Sequence, residues 1–421
     1  VHDRKHNSRP PSQVLNIVDP SLYCGVYGRT FAYPLSTSSG REVPEKVEQL
    51  NHESHAPHVL GCPEWAASKT FTWIPTDFDI AKCGQSAKAL GYINNIHRTH
   101  HSGLYRVVEE LVARFSSLWD RVLTDLHPRN PTSYRIKDSY EWSGDSNTIP
   151  RKSDFDDCDD WRSELNDWWQ DRQILRPTVS AEGYTEDISK RQARYSVRGR
   201  RVQVFVQIFD IQLTPDSPKY SGNPWRVEGM ANERIVACGI YCYESENIME
   251  SELRFRTAVR ESSLVDPTWE EESGLGDITG LHSGWNGTQV LGSVETLAGR
   301  CIAFPNTYQH RIPPFKLLDK SKPGHQKFIA LFLVDPECPV PSTTLTPPQQ
   351  SHWTREVIST ADTLFAKMPT ELLDMVEGAA RLVGSLMAPN EAKEYQRAIM
   401  KERIACIMDQ NKYYFERPFQ L

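Results

Sequence analysis

The stretch RVQVFVQIF, residues 201–209, sets the period of the chain to two. Val202, Val204, Val206 and Ile208 alternate with Gln203, Phe205, Gln207 and Phe209. Alternate side chains leave a strand on opposite faces. Large apolar groups therefore occur on both, and both need cover. Toward the C-terminus the same signals predict strands at 234–243, 289–295, 300–304, 307–312 and 326–334, with Gly, Pro and Asn turns between them. The last contains FIALFLV, residues 328–334. That run is far shorter than the ~20 apolar residues of a membrane span and reads as a buried strand. Several strands with little helix between them predict an α+β protein whose core is an antiparallel barrel or jelly roll.

Outward from this core the pattern changes. Leu104, Val107, Val108, Leu111, Val112, Phe115, Leu118, Trp119, Val122 and Leu123 recur at three and four, which predicts an amphipathic packing helix over 103–126. Residues 1–80, rich in Pro, Ser, His and Gly, are expected to form a loop-rich wrapping segment. Residues 81–200 are expected to form a helical segment with an acidic, tryptophan-rich insertion at 145–175. That insertion is expected to be solvated with one short helix; Trp161, Trp168 and Trp169 offer a docking surface as the alternative. The strand core covers 201–340. After VPSTTLTPPQQ, residues 341–421 turn helical, with Thr370 expected to cap one helix and Asn390 to open another. The four segments are expected to form one compact unit.

With 48 Lys and Arg against 55 Asp and Glu, the net charge of −7 argues against nucleic acid as the main partner. A small-molecule substrate is expected instead, with no membrane partner and no oligomeric state implied. The nine cysteines are odd in number, scattered and without a C-x-x-C pair. They predict reduced thiols in a cytoplasmic setting rather than a disulfide framework or structural zinc. No secretory signal is visible, and the chain begins at Val1 rather than Met.

Three pieces of the strand region carry the chemistry: WRVEGM (225–230), GRCIAFPNTYQHRIPPF (299–315) and PGHQKFIALFLVDP (323–336). In the first, residues 226 and 228 share one face if the segment is extended. Together with GYINNIHRTHHSGLY, LWDRVLTDL, WRVEGMANERIVACGIYCYESENI and TPPQQSHW, these motifs resemble the fungal domain-of-unknown-function family 4246 across nearly the whole chain. The layout in turn resembles the double-stranded beta-helix (jelly-roll, cupin-like) oxygenases that use Fe(II) and 2-oxoglutarate. The family pattern, W-H-V-E-G-M, then Y-Q-H-R, then G-H-R-K, implies an H-x-E…H metal triad and an Arg for an acidic cosubstrate.

Carried over by position, Glu228 and His310 match the second and third metal ligands. Arg226 stands where the first would be, and Gln326 where the carboxylate-binding Arg would be. A guanidinium stays protonated and has no lone pair for a metal. Arg226 is therefore expected to pair with Glu228, so no metal and no cofactor are expected; if a metal binds, Glu228 and His310 hold it. The resemblance and these departures imply a redox-neutral enzyme of fungal specialised metabolism. Arg226, Glu228 and His310 would be catalytic; Gln326, Arg311, Tyr308 and Trp225 would bind substrate, with Lys322 another cation within reach. The alternatives are an Fe(II)/2-oxoglutarate oxygenase with altered ligation and a non-catalytic binding protein on the same fold. Elsewhere, the cluster HRTHH (97–101) reads as a helix-entry surface cluster, His282 and His325 as single histidines, and Cys238 and Cys242 as small buried groups.

Overall fold

The structure is a computed structural model that describes residues 13–33, 47–52, 62–130, 150–171, 191–258, 284–360, 369–383 and 385–418. Ten strands position the site: β1 Val14–Val18, β2 Thr76–Ile80, β3 Ala87–Ala89, β4 Arg201–Leu213, β5 Ile235–Glu246, β6 Glu252–Ala258, β7 Thr288–Glu295, β8 Cys301–Pro305, β9 Gln309–Arg311 and β10 Gly324–Val334. The main sheet is antiparallel, in the order β8-β5-β10-β4-β2-β3. Strand β10 lines one edge of the long β4, from Gly324 opposite Leu213 to Leu333 opposite Val204. The other edge is shared, β2 pairing with residues 201–204 and β1 with residues 208–211. A smaller antiparallel sheet runs β7-β6-β9.

The alternation in β4 sorts the interior into two layers. Val202, Val204, Val206 and Ile208, with Ile329, Leu331 and Leu333 of β10, face helix α1, Ser102–Asp125. That helix lays Val108, Val112, Phe115 and Trp119 on the sheet, and the Phe115 and Trp119 rings stack at 5.6 Å. Burying each such side chain contributes about 1.5–3 kcal/mol. Gly239 of β5 permits the approach: a Cβ there would lie 2.7 Å from the Phe115 ring. On the other face Phe205, Ile240, Phe328 and Phe332 join Leu253 and Phe255 of β6 in a second, aromatic-rich core. A one-residue slip of β4 would exchange these two sets, so the register is strongly specified.

The C-terminal helices are α3 Ser351–Thr360, α4 Thr370–Val383 and α5 Pro389–Gln410, following α2 Cys158–Asp171 of the acidic insertion. Helix α5 sends Ala392 and Ile399 into the aromatic-rich core. It also buries Arg403 against Glu233, with the guanidinium 3.4 Å above the Trp73 ring. The fold is α+β with a jelly-roll-like core, the two sheets not closing into a barrel among the described residues.

Several expectations need correction. The first eighty residues do more than wrap, since β1 and β2 complete the edge of β4. Strand β6 was not anticipated. Thr370 lies inside the first turn of α4 rather than capping it, and α5 opens at Pro389, which supplies a preset helical φ at N1. In the acidic insertion the Trp161 indole is half-buried and donates to the Pro150 carbonyl, Trp168 is half-buried, and the Trp169 side chain lies outside the described residues.

Candidate active site

Residues 223–228 cross the gap between the sheets without forming a regular strand. One antiparallel bridge holds them: Arg226 N donates to His310 O (3.2 Å) and His310 N to Arg226 O (3.0 Å). Directly opposed residues of an antiparallel pair project to the same side, so Arg226 and His310 face each other. Glu228, two residues on, returns to that side. Beyond the bridge, two asparagine side chains do the work of a neighbouring strand. Asn306 accepts from Glu228 N (2.8 Å) and donates to Glu228 O (2.7 Å). At the other end the Asn223 side chain accepts from Ile312 N (2.7 Å). Gly229 then turns the chain at φ +77°, where a Cβ would meet Ile235 at 2.6 Å.

The three side chains converge on one oxygen. Arg226 Nε lies 2.7 Å from Glu228 Oε1, and His310 Nε2 lies 3.1 Å from the same atom. Glu228 and His310 are buried at 8% and 2% exposure, whereas Arg226 keeps 26%. Burial pushes the Glu228 carboxyl up, but the Arg226 charge and the His310 hydrogen bond outweigh it and hold Glu228 well below the usual carboxylate range. Burial opposes charge on Arg226, yet the adjacent carboxylate raises its pKa. Burial lowers the His310 pKa and the Arg226 charge adds to this, against the pull of Glu228. At neutral pH the set is thus a cation, an anion and a neutral imidazole. The Phe304 ring packs 4.9 Å from His310, whose Nδ1 is buried without a hydrogen-bond partner among the described residues.

A cavity of about 10 Å³ lies between these groups and the aromatic core, bounded by Gln207, Asn223, Thr296, Phe209 and Phe328 among others. That is room for roughly one water. Of the residues expected from sequence, Arg226, Glu228 and His310 line it. Gln326 does not. It is buried one step away, accepting from Ser251 Oγ (2.8 Å) and donating to the Thr296 carbonyl (2.9 Å). Trp225 and Arg311 leave the chain on the side opposite Arg226 and His310, where the Arg311 and Arg256 guanidiniums stack on the Trp225 ring at 4.6 and 4.8 Å. They support the small sheet from outside. Tyr308 packs against the edge of the aromatic core without lining the cavity. Lys322 is exposed on a loop beside Asp319 (3.7 Å), and His325 meets Glu244 at 2.9 Å. Cys238, whose thiol burial pushes well up, contacts Asn306. His282 lies outside the described residues. Asn223, Asn306, Gln207 and Thr296 were missed; for the two asparagines, the Gly-Asn-Pro and Pro-Asn turns were the available signal.

Residues 1–357 match the family described as Protein of unknown function (DUF4246). The chain belongs to that family. Among solved structures, this DUF4246 protein is similar to TqaL, an Fe(II)/(alpha)ketoglutarate-dependent dioxygenase, at 11% identity and a TM-score of 0.28 over 65% of this chain and 70% of that one. It is also similar to a bsmA homolog from Methylobium petroleophilum PM1, at 11% identity and a TM-score of 0.20 over 32% of this chain and 42% of that one. At such distances neither likeness bears on the chemistry. No curated protein matches the chain. No helix among the described residues of the DUF4246 protein is long and apolar enough to cross a membrane.

Proposed function

We propose that the DUF4246 protein is an enzyme catalysing a redox-neutral step on a small molecule, a cyclisation, dehydration, isomerisation or condensation, without iron. The observation that carries this reading is the sharing of Glu228 Oε1 by Arg226 Nε and His310 Nε2. The donor set does not suit ferrous iron. A facial triad needs three lone-pair donors, and here the third position is a permanent cation already paired with one of the other two. A divalent ion would have to displace that pair and sit beside a guanidinium. The buried amide of Gln326 likewise brings no charge to a cosubstrate carboxylate.

The same residues suit proton transfer and charge stabilisation. Arg226, the most exposed of the three, is the group an incoming carbonyl, carboxylate or phenolate meets first, and it would hold developing negative charge. Glu228, kept anionic, accepts a hydrogen bond from His310 Nε2–H and fixes the tautomer, which leaves the lone pair on Nδ1 to take up a proton. Glu228 therefore orients and the imidazole titrates, a refinement of two equal acid/base groups. The context of fungal specialised metabolism and a cytoplasmic setting rest on resemblance and cysteine usage.

Room for about one water means that substrate enters only after the walls part. That tightness favours one second reading, a binding protein in which the ion pair merely fills a redundant metal position. Comparative metabolite profiling of cells carrying the wild type, Arg226→Met or His310→Asn separates the two. The enzyme reading expects a product whose composition equals that of its precursor, or for a condensation the sum of its two precursors, apart from loss of water. That product is lost in both variants. A product gaining one oxygen atom, with stoichiometric iron in the purified protein, would overturn it. An unchanged profile favours the binding protein.

A further inference from the structure

We infer that His97, His100 and Glu356 form a site for a divalent transition metal, zinc by its ligand chemistry, that ties the entry of α1 to α3. The two histidines sit three residues apart in the turn that leads into α1, where His101 N bonds back to His97 O (3.0 Å). This turn brings their rings together, with centroids 4.3 Å apart. Glu356 arrives from α3, one helical turn after Trp353. Trp353 is buried and packs edge-on against the His97 ring at 5.1 Å, so it seats α3 on the histidine turn.

The donor atoms converge. His100 Nε2 lies 2.6 Å from Glu356 Oε1 and His97 Nε2 lies 3.9 Å from Glu356 Oε2, and all three ligand atoms fall within 4.8 Å of one another. Two imidazoles and a carboxylate suit zinc, with metal–ligand distances of about 2.0–2.2 Å and a fourth position left for water. The His97 side chain is 14% exposed and packed, whereas that of His100 is 55% exposed and able to swing inward. Loading requires His97 to carry its proton on Nδ1 and to release the long contact (3.4 Å) that this atom receives from His100 N.

One other group of comparable donors occurs among the described residues, Glu244, Glu246 and His325. It is a poorer host. Lys327 Nζ lies 2.9 Å from Glu244 Oε2 and already neutralises the carboxylate. In the first group Glu356 faces two imidazoles, whose ring nitrogens are themselves metal donors. The bridge across α1 and α3 would fasten a helix that follows the last strand to one that precedes β4, by a bond independent of the sheet.

Titrating the metal-stripped full chain with zinc by calorimetry tests this. Wild type, His325→Ala and His310→Asn are expected to bind one zinc per chain. His100→Ala and Glu356→Gln, both at solvent-accessible positions, are expected to bind it at least about tenfold more weakly. Zinc should raise the melting temperature of the first three proteins and not of the last two. Absence of binding by the wild type would overturn the site. So would undiminished affinity in His100→Ala, or loss of binding in His325→Ala or His310→Asn.

Discussion

The two faces of β4 and β10 come from the same strands and serve opposite ends. Toward α1 the face is aliphatic and dry, and a fully buried Trp119 and Phe115 fill it. Toward the small sheet the aromatic groups are interrupted by Arg226, Glu228 and His310, which pair with one another beside the Gln207 and Asn223 amides. Close-packed apolar layers contribute stability, whereas a buried charge cluster contributes little net and is costly to half-remove. One face is therefore the foundation and the other the instrument.

Substitutions can break or sharpen that contrast. The largest expected effect is on the dry face: Trp119→Ala should cost about 3–5 kcal/mol in denaturant unfolding while leaving the polar cluster intact. Gly239→Ala drives a methyl group to 2.7 Å from the Phe115 ring and should cost about 1–3 kcal/mol. On the polar face, Arg226→Met and Glu228→Met singly should each destabilise by about 1–3 kcal/mol, since each leaves a charged partner behind. The double variant should recover most of the loss, because an apolar pair of similar volume replaces an ion pair nearly without penalty. If the double variant melts as low as the singles, the cluster is structural and the contrast between the faces fails.

The smallest effect concerns pH. His310 and Glu228 both titrate below their ordinary values of 6.5 and 4.5 in the folded protein, so the unfolded chain binds protons first. Their contribution to stability is complete above about pH 6.5 and fades as pH falls, through His310 first and Glu228 later. His310→Asn should flatten the upper part of that decline in melts followed between pH 7 and about pH 5. A slope identical to that of the wild type would mean that the imidazole is not held neutral.

What was legible in the sequence follows from what repeats. The alternation of 201–209 and the three-and-four spacing of 103–126 reported the elements and most of their buried faces, Val107 being exposed instead, and β4, β10 and α1 lie where those periods put them. Strand β6 escaped because Arg254 and Arg256 break the apolar count, although Leu253 and Phe255 keep the period of two. The convergence of residues 226, 228 and 310 was readable from alternation and resemblance together. The same alternation sends Trp225 and Arg311 to the far side, a consequence that the expectation of substrate binding overlooked. Asn223 and Asn306 were legible only as turn residues, in Gly-Asn-Pro and Pro-Asn; their bonding to the backbone was not, since an amide that stands in for a strand has no periodic signature. Nor was the partnership of His100 with Glu356, which only the docking of α3 creates.

The backbone of Glu228 is bonded by the Asn306 side chain rather than by a neighbouring strand. An amide tethered in that way can be released by one rotating side chain, while every ladder bond around it stays closed. Its hydrogen-exchange rate therefore registers unlatching of this panel separately from melting of the sheet. Amide exchange at residue 228 that outpaces residues 238–242 in β5 would time how often the interior is open to a visitor.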